Sequence, residues 1–496
     1  MAEELTEQLR RAWDSPQKWA DFDILAELSA VLGGVGISLD DGGGTVAAEG
    51  GTDPIVASPL RIGAGASIGL LAKSVAAAAL HRDRGGPGQD IAVDVRRTPH
   101  RLCPFYDATW ERLGGYPVQT SLEVGNVTGL TFFRTADDRW VLPQAFYAGL
   151  RLKAQELLDA PLTYEPVARA IARWKGRDLE EAASALGVPM PLVRTLPELL
   201  AESQYSEVLA DLPLIEVTRI GDAPPQPLPP AGELPFSGLR ALGMGHVIAG
   251  AGVGRSLALH GADVLNLWTP GKGEHDYLYA TANVGVRSSW LDVRADRAEL
   301  LRLLHGADVF FHNRRPSFMR GIGMTAAEAA RQRPGIVYVT ISLHGLSGPW
   351  AERPGFDQVA GCVSGIMALH GSPDQPALPP IMVVNDYIVS WLSQVGVVAA
   401  LRRRATEGGS YHVHVSLTRV ALWLLSLGIL DKGWVTRVAD KSEEHRYLDP
   451  ETFTAETALG RYQGVTDQVS MSHTPGRYDP VLVPRGSSAR EWRHEP

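Results

Sequence analysis

A single carboxylate, Asp386, stands between two apolar runs, Ile381 to Val384 before Asn385 and Tyr387 to Leu401 after it. The second run has the texture of a long apolar helix, so the aspartate sits where that helix begins. First-turn N–H groups lack intrahelical partners there and the helix dipole is positive, which favours the anionic form of an aspartate. A carboxylate kept ionised among neighbours that exclude water can act as a nucleophile. The commonest job for such a residue is the plain helix N-cap, and this segment alone leaves both readings open.

A second candidate for chemistry is Gly250-Ala-Gly252-Val-Gly254. It is expected in a turn from Gly245 to Gly254, between a strand at Leu239 to Met244 and a helix at Arg255 to His260. Glycines at such a turn let a phosphate approach a helix N-terminus. The spacing is GxGxG rather than GxGxxG, and the next strand ends in Asn266-Leu-Trp268 with no carboxylate for a ribose. A dinucleotide site therefore lacks its most specific element, and close helix–sheet packing explains the glycines equally well.

The elements that must position these residues alternate. Strands are expected at Leu239 to Met244, Val264 to Leu267, Val309 to Phe311 and Ile336 to Ile341. A helix is expected at Asp296 to Leu304, and another is announced by the capping box of Thr325 and Glu328. That order implies a doubly wound parallel sheet. Upstream, Leu130 to Phe133 and Trp140 to Leu142 flank a turn and lead into Ala- and Leu-rich helices, the pattern of a small α+β domain. Ala223-Pro-Pro-Gln-Pro-Leu-Pro-Pro230 reads as a stiff linker. Two stretches also look alike: Ala66 to Val95 and Tyr387 to Leu417 each give a small-residue helix, a glycine turn and an alternating strand. The first has Gly65 where the second has Asp386, so only the second can carry a nucleophile.

Composition bounds the rest. The chain has 496 residues, a 45% hydrophobic and 21% charged fraction and a formal charge of −9, which fits a globular protein with no general affinity for nucleic acid. Cys103 and Cys362 are the two cysteines, so a disulfide framework or zinc site is not expected. The acidic start lacks the order of a signal peptide, and Val420 to Leu430 is too short to span a bilayer. A cytoplasmic protein without membrane attachment is the expectation.

From Phe236 to Leu417 the chain resembles the class III (CaiB/BaiF) CoA-transferases. The resemblance rests on Gly238-Leu-Arg-Ala-Leu-Gly-Met-Gly-His246-Val-Ile-Ala-Gly250, Gly261-Ala-Asp-Val264 and Asn283-Val-Gly-Val-Arg287-Ser-Ser-Trp-Leu-Asp292. It continues in Ala307-Asp-Val309 through His312-Asn313-Arg314-Arg315-Pro316, Gly345-Leu-Ser-Gly348-Pro349 and Arg353-Pro-Gly-Phe-Asp357. Asp386 then falls at the position of the family's catalytic aspartate. Phe132 to Leu200 is similar to the family's small domain, here ahead of the first strand rather than after the nucleophile helix. The resemblance thus implies an atypical tandem or permuted member. Its parts are a degenerate partial copy of the large domain at 1–120, a small α+β domain at 121–210 and a Pro-rich linker at 211–235. A CoA-binding α/β domain with the nucleophile follows at 236–432, and a C-terminal segment at 433–496. Departures include Arg315-Pro316-Ser317 for Arg-Pro-Gly and Val286-Arg287-Ser288 for Lys-Arg-Ser. No glycine-rich covering loop is recognisable near Gly125 to Gly129.

The resemblance implies transfer of CoA from an acyl-CoA to a carboxylic acid, with Asp386 carrying first an acyl anhydride and then a CoA thioester, and with no metal. It implies CoA contacts from His246, Ile248, Ala249, Lys272, Arg287, Asn313, Arg314 and Arg315, and a homodimer. Main-chain N–H groups at the start of the nucleophile helix are expected to stabilise the oxyanion. Two alternatives stand beside it. One is an α-methylacyl-CoA racemase, disfavoured because Phe356 occupies the place of the racemase histidine. The other is a non-catalytic CoA-binding subunit.

Overall fold

The computed structural model describes residues 2–19, 21–105, 107–118 and 127–493. Gly125, in the stretch searched for a covering loop, lies outside them. The first unit is strand β1 (Val46–Glu49), helix α1 (Ile62–Asp83) and strand β2 (Ile91–Asp94), the two strands pairing in parallel. Helix α1 is long and apolar enough to cross a membrane, yet it is buried along its length by other elements of the chain. Asp53 holds its start by accepting the N–H groups of Gly63 (2.9 Å) and Ala64 (2.8 Å). It thereby satisfies first-turn donors that burial would otherwise leave unpaired.

The small domain follows, with its own core of Phe133, Val141, Leu158, Ile171, Leu179 and Met190. Its two strands, Phe133–Arg134 and Trp140–Val141, close the expected turn through Thr135 N–H to Arg139 O (2.9 Å). The segment 211–235 opens on a strand that its sequence did not announce, β3 (Glu216–Gly221), before the irregular proline run.

The main sheet takes β3 at one edge and adds β4 (Arg240–Met244), β5 (Asp263–Trp268), β6 (Arg287–Trp290), β7 (Val309–His312), β8 (Val337–Ser342) and β9 (Ser410–Ser416). Their order is β6-β5-β4-β7-β8-β9-β3, parallel throughout except for β3. The chain starts at β4, runs outward to β6 and returns to β7 on the other flank of β4. The crevice between the C-terminal ends of β4 and β7 is therefore the switch point where such sheets receive ligands. Alternation along the strands sorts two cores. Ala241, Val264, Phe311, Val339 and Val413 face helices α2 (Ala249–Leu259) and α3 (Asp386–Glu407). Leu242, Leu265, Phe310 and Tyr338 face the helices at Arg297–His305 and Ala326–Gln332. The capping box of Thr325 and Glu328 forms as expected.

Helix α2 begins six residues before the expected Arg255, so Gly250, Gly252 and Gly254 lie inside it rather than in a turn. Packing is the reason. A Cβ on Gly252 would fall 2.6 Å from Ser390 Oγ of α3, and one on Gly254 would fall 2.9 Å from the Phe311 ring. These glycines bring α2 against both the sheet and α3.

The two stretches that look alike in the sequence each fold as a helix, a turn and a strand, and in each a parallel strand precedes the helix. Helices α1 and α3 are 22 residues each and lie side by side, running the same way. Gly69 meets the Trp391 ring, Lys73 O accepts from Gln394 Nε2 (2.9 Å), and Asp83 pairs with Arg402 (2.7 Å). In both units the second strand also carries an antiparallel neighbour: β9 takes β3, and β2 takes β10 (Ser470–Met471). Each of those neighbours follows the other unit in sequence. Asp467, just before β10, pairs with the buried Lys73 of α1.

A Cβ at Gly69 would lie 2.7 Å from the Trp391 ring. Gly69→Val is therefore expected to lower stability by roughly 1–3 kcal/mol through overpacking, measured as a drop in the urea midpoint. An unchanged midpoint would show that the two helices have room to part.

Candidate active site

Helix α3 starts at Asp386 itself, with Asn385 as its N-cap residue. Asp357, at the start of the helix Asp357–Ser364, turns its Oδ2 onto this point. It accepts the N–H of Asn385 at 2.6 Å and that of Asp386 at 3.0 Å. Asp386 is 4% exposed, among the buried Ile381, Met382, Val383, Val384 and Tyr387. No donor among the described residues is paired with its carboxyl oxygens. Burial, and then the neighbouring Asp357 charge, push its pKa well above the usual carboxylate range.

The helix start does not keep Asp386 anionic, which corrects the expectation. The donors that would stabilise its charge are given to Asp357, and no cation among the described residues is paired with it. Those same N–H groups are then not free for an oxyanion. Of the two coupled carboxyls, Asp386 is the one that holds the proton, because Asp357 has two backbone donors and Asp386 has none.

The opposite wall comes from the small domain. Tyr147 stands at the N-cap of the helix Ala148–Leu158, and its hydroxyl donates to Glu274 Oε1 at 2.5 Å. Glu274 also accepts from Val247 N (2.9 Å) and His275 N (3.0 Å), which ties the small domain to the loops after β4 and β5. Burial, then the Glu274 charge, hold the Tyr147 hydroxyl neutral. Around it the half-buried rings of Phe146, Phe356 and His275 gather. Ring centroids lie 5.2 Å apart for Phe146 and Phe356, and 4.9 Å apart for Tyr147 and His275. Phe356 adjoins Asp357, so this aromatic wall begins one residue from the carboxyl pair.

Most of the expected binding residues converge on the switch point. His246 follows β4 and Asn313 follows β7. Asn313 Oδ1 accepts from His246 N (3.2 Å), and its Nδ2 donates to His246 O (3.0 Å). Burial, helped by the Arg314 charge, drops the His246 pKa to about 3, so the ring is neutral. Ile248 is buried at the N-cap of α2, and Ala249 O accepts from Ser390 Oγ (2.8 Å), which links α2 to the first turn of α3. Arg314 is half-buried beside this cluster. Arg315 and Lys272 are exposed on the loops after β7 and β5. Arg287 is not brought to the site. It opens β6 at the other end of the sheet, in a two-point ion pair with Asp263 (2.8 and 2.9 Å). Parallel strands put their first residues at the end opposite the crevice, so a cation there serves the sheet edge.

Residues 236–458 match the model of CoA-transferase family III. This part of the chain is similar to CoA-transferase family III. Among relatives, the chain is 34% identical over 214 residues to the acetyl-coenzyme A transferase nodX of Hypoxylon pulicicidum, covering 41% of this chain and 36% of that one. It is 28% identical over 307 residues to an acyl-CoA transferase of Gibberella moniliformis, covering 58% and 53%. The chain thus spans about half or less of these relatives' lengths. A solved CaiB/BaiF family protein from Brucella suis matches at 24% identity and a TM-score of 0.36, covering 46% of this chain and 65% of that one.

Asp357 and Glu274 of this region and Tyr147 of the small domain had not been singled out as site residues. Asp357 stood in a quoted motif, and its adjacency to a second carboxyl arises only when the chain folds over 29 residues. Glu274 and Tyr147 are 127 residues apart, and no spacing rule pairs them.

The sign of the carboxyl pair's effect on stability follows from linkage. Above about pH 3.9, the pKa of an unfolded aspartate, the unfolded chain has lost a proton that folded Asp386 retains. Stability therefore falls as pH rises toward the folded value, by at most about 1.4 kcal/mol per pH unit for this one group, and Asp357, raised by burial to about 6, acts in the same sense below that pH. Asp386→Asn removes this cost. The variant is expected to be more resistant to urea than wild type at pH 7 and to lose that advantage toward pH 4. Equal midpoints across the range would show that Asp386 titrates normally.

Proposed function

We propose that this protein is a CoA-transferase that moves CoA from an acyl-CoA to a carboxylic acid, with Asp386 as the nucleophile. The observation that carries this reading is the position of Asp386. It is a carboxyl with no hydrogen-bond donor, at the mouth of a crevice closed by a second domain, within a family III region.

Four transfers balance without ATP. The ionised Asp386 Oδ attacks the thioester carbon of the donor and the thiolate of CoA leaves, giving a mixed anhydride. The thiolate then attacks the Asp386 carbonyl carbon, releasing the donor acid as carboxylate and leaving CoA as a thioester on Asp386. The acceptor carboxylate attacks that carbon, and the thiolate leaves again. The thiolate finally attacks the acceptor carbonyl, and Asp386 is restored as its carboxylate. Each step exchanges one activated acyl derivative for another, so no proton is gained or lost overall.

The environment suits this cycle. A carboxylate without hydrogen bonds is a stronger nucleophile than a solvated one, and Asp357 destabilises its charge further. The cost is that Asp386 must first ionise, so turnover should climb with pH on its acid side. Asp357→Asn removes the opposing charge and should move that rise to lower pH. An unmoved profile would count against the pair. The small domain that bears Tyr147 and the helix that bears Asp386 belong to one chain. Phe356, packed on Phe146, offers no group for moving an α-proton, and this weighs against a racemase.

Wild type incubated with an acyl-CoA and hydroxylamine should be inactivated, with a hydroxamate on the Asp386 peptide by mass spectrometry. Asp386→Asn should fold, lose transfer by at least about 10³-fold and take up no label. Label elsewhere, or undiminished transfer, would assign the chemistry to another residue.

A further inference from the structure

The carboxyl of Asp386 is paired with no donor among the described residues, so the backbone that carries it sets where it points. The next residue, Tyr387, ties that backbone to other parts of the chain. Its hydroxyl donates to Thr281 O at 3.1 Å and lies 3.0 Å from Thr281 Oγ1, in the helix Asp276–Ala282. The Thr281 hydroxyl donates its own proton to Glu111 Oε1 at 3.0 Å, which leaves Oγ1 to accept from Tyr387. Glu111 lies in the stretch that follows β2 of the first unit, just ahead of the strand Arg112–Leu113. The same Oε1 accepts from Tyr462 Oη at 3.4 Å, on the C-terminal strand Gly460–Val465 that pairs with Arg112–Leu113. Arg255 of α2 stands 3.8 Å from Glu111 and donates to Thr281 O, to Tyr478 Oη (3.0 Å) and to Val465 O (3.3 Å). Arg101, also after β2, holds its guanidinium over the Tyr387 ring, 4.7 Å from the centroid. Tyr387, Thr281, Glu111, Arg255, Arg101 and Tyr462 are all buried.

A carboxyl group buried this deeply is costly unless it gathers donors. Glu111 gathers two hydroxyls and faces one guanidinium, all on the side of Oε1, while Oε2 is buried without a partner. An oxygen of this kind accepts whether or not the group is ionised. Asp357 fixes the two N–H groups at the start of α3, but a clamp on N–H groups leaves the first turn free to rotate about the helix axis. A long ring held at its far end stops that rotation, and Glu111 fixes the hydroxyl to which the ring is tied. A nucleophile misplaced by about 1 Å loses roughly 100-fold in rate, and Asp386 has no contact of its own to correct such a shift. The first unit has Gly65 where α3 has Asp386, so it brings no nucleophile to this site. It brings the two side chains that hold Tyr387 by its ring and, through Thr281, by its hydroxyl.

Building on the CoA-transferase reading, we propose that Glu111 is a positioning residue for the transfer at Asp386, acting through Thr281 and Tyr387 to hold the reacting carboxyl in line. No bond is made or broken at Glu111.

The test compares Glu111→Gln, which keeps an accepting oxygen, with Glu111→Leu, which removes it at similar size. Each is inactivated by hydroxylamine with acetyl-CoA or succinyl-CoA as donor, and rates are taken per folded molecule. Glu111→Leu should lose roughly 10- to 100-fold in the saturating rate, with the half-saturating donor concentration unchanged, and Glu111→Gln should keep most of the rate. A second readout needs no turnover. Water-soluble carbodiimide with glycine ethyl ester should label Asp386 slowly in wild type and Glu111→Gln, and several-fold faster in Glu111→Leu, by mass spectrometry of the Asp386 peptide. A leucine variant that matches wild type in both readouts would overturn the proposal. So would equal losses in the two variants, which would assign the effect to the charge opposite Arg255. If neither acyl-CoA inactivates wild type, the transferase reading fails, and the labelling still decides whether Glu111 holds the carboxyl. Tyr387→Phe serves if the leucine variant does not fold. It deletes one hydroxyl, keeps the ring under Arg101, and should lose about tenfold in the same rate.

Discussion

A carboxyl group that no donor reaches, placed beside another carboxyl and away from water, is the most demanding local arrangement in this protein. Left to itself it would relax, either by turning to solvent or by drawing a cation inward. Neither happens, because the backbone around it is fixed from several directions. Asp357 clamps the first N–H groups of α3, and Ser390 ties the start of that helix to the carbonyl of Ala249. The glycines of α2 let that helix press against the same turn. The rest of the fold supplies the stability to hold this geometry, above all through two long parallel helices in contact along their length and buried on nearly all sides.

The α/β architecture was legible where burial writes itself into sequence. Strands covered on both faces, such as β8 and β9, read as apolar or alternating runs, and the Thr325–Glu328 box marked its helix start. Where tertiary contacts overrode local preference, the reading failed. Three glycines disfavour a helix, yet α2 runs through them because Phe311 and Ser390 leave no room for a Cβ. Strand β3 carries Arg219 at a half-exposed edge, and it forms because β9 offers it an unpaired edge. Strand β6 was passed over, so Arg287 was expected among the CoA contacts, whereas it is the first residue of an edge strand bound to Asp263.

The site divides in the same way. Asp386 could be found because an isolated charge in an apolar run is a local signal. Its protonation could not, since that depends on Asp357 arriving from 29 residues upstream and taking the helix-start donors for itself. His246, Asn313 and Arg314 could be grouped because they follow strands that flank a topological switch. The aromatic and acidic wall opposite them belongs to another domain, and only the folded chain shows which of its residues face inward. The sequence could not tell the two neighbouring arginines apart either. Arg315 is exposed and donates to Glu352 O, whereas Arg314 is half-buried over the Phe318 ring with its Nε unpaired among the described residues.

The edge strands carry a wider implication. The strand that completes the second unit's sheet follows the first unit in the chain, and the strand that completes the first unit's sheet follows the second. Each half therefore closes the other, as in a clasp. A protease cutting the proline run between them would not release two free domains, because each fragment would still hold its partner's missing edge. Were the gene ever split at that point, the two products would have to assemble as they fold, and neither would be a smaller version of the whole.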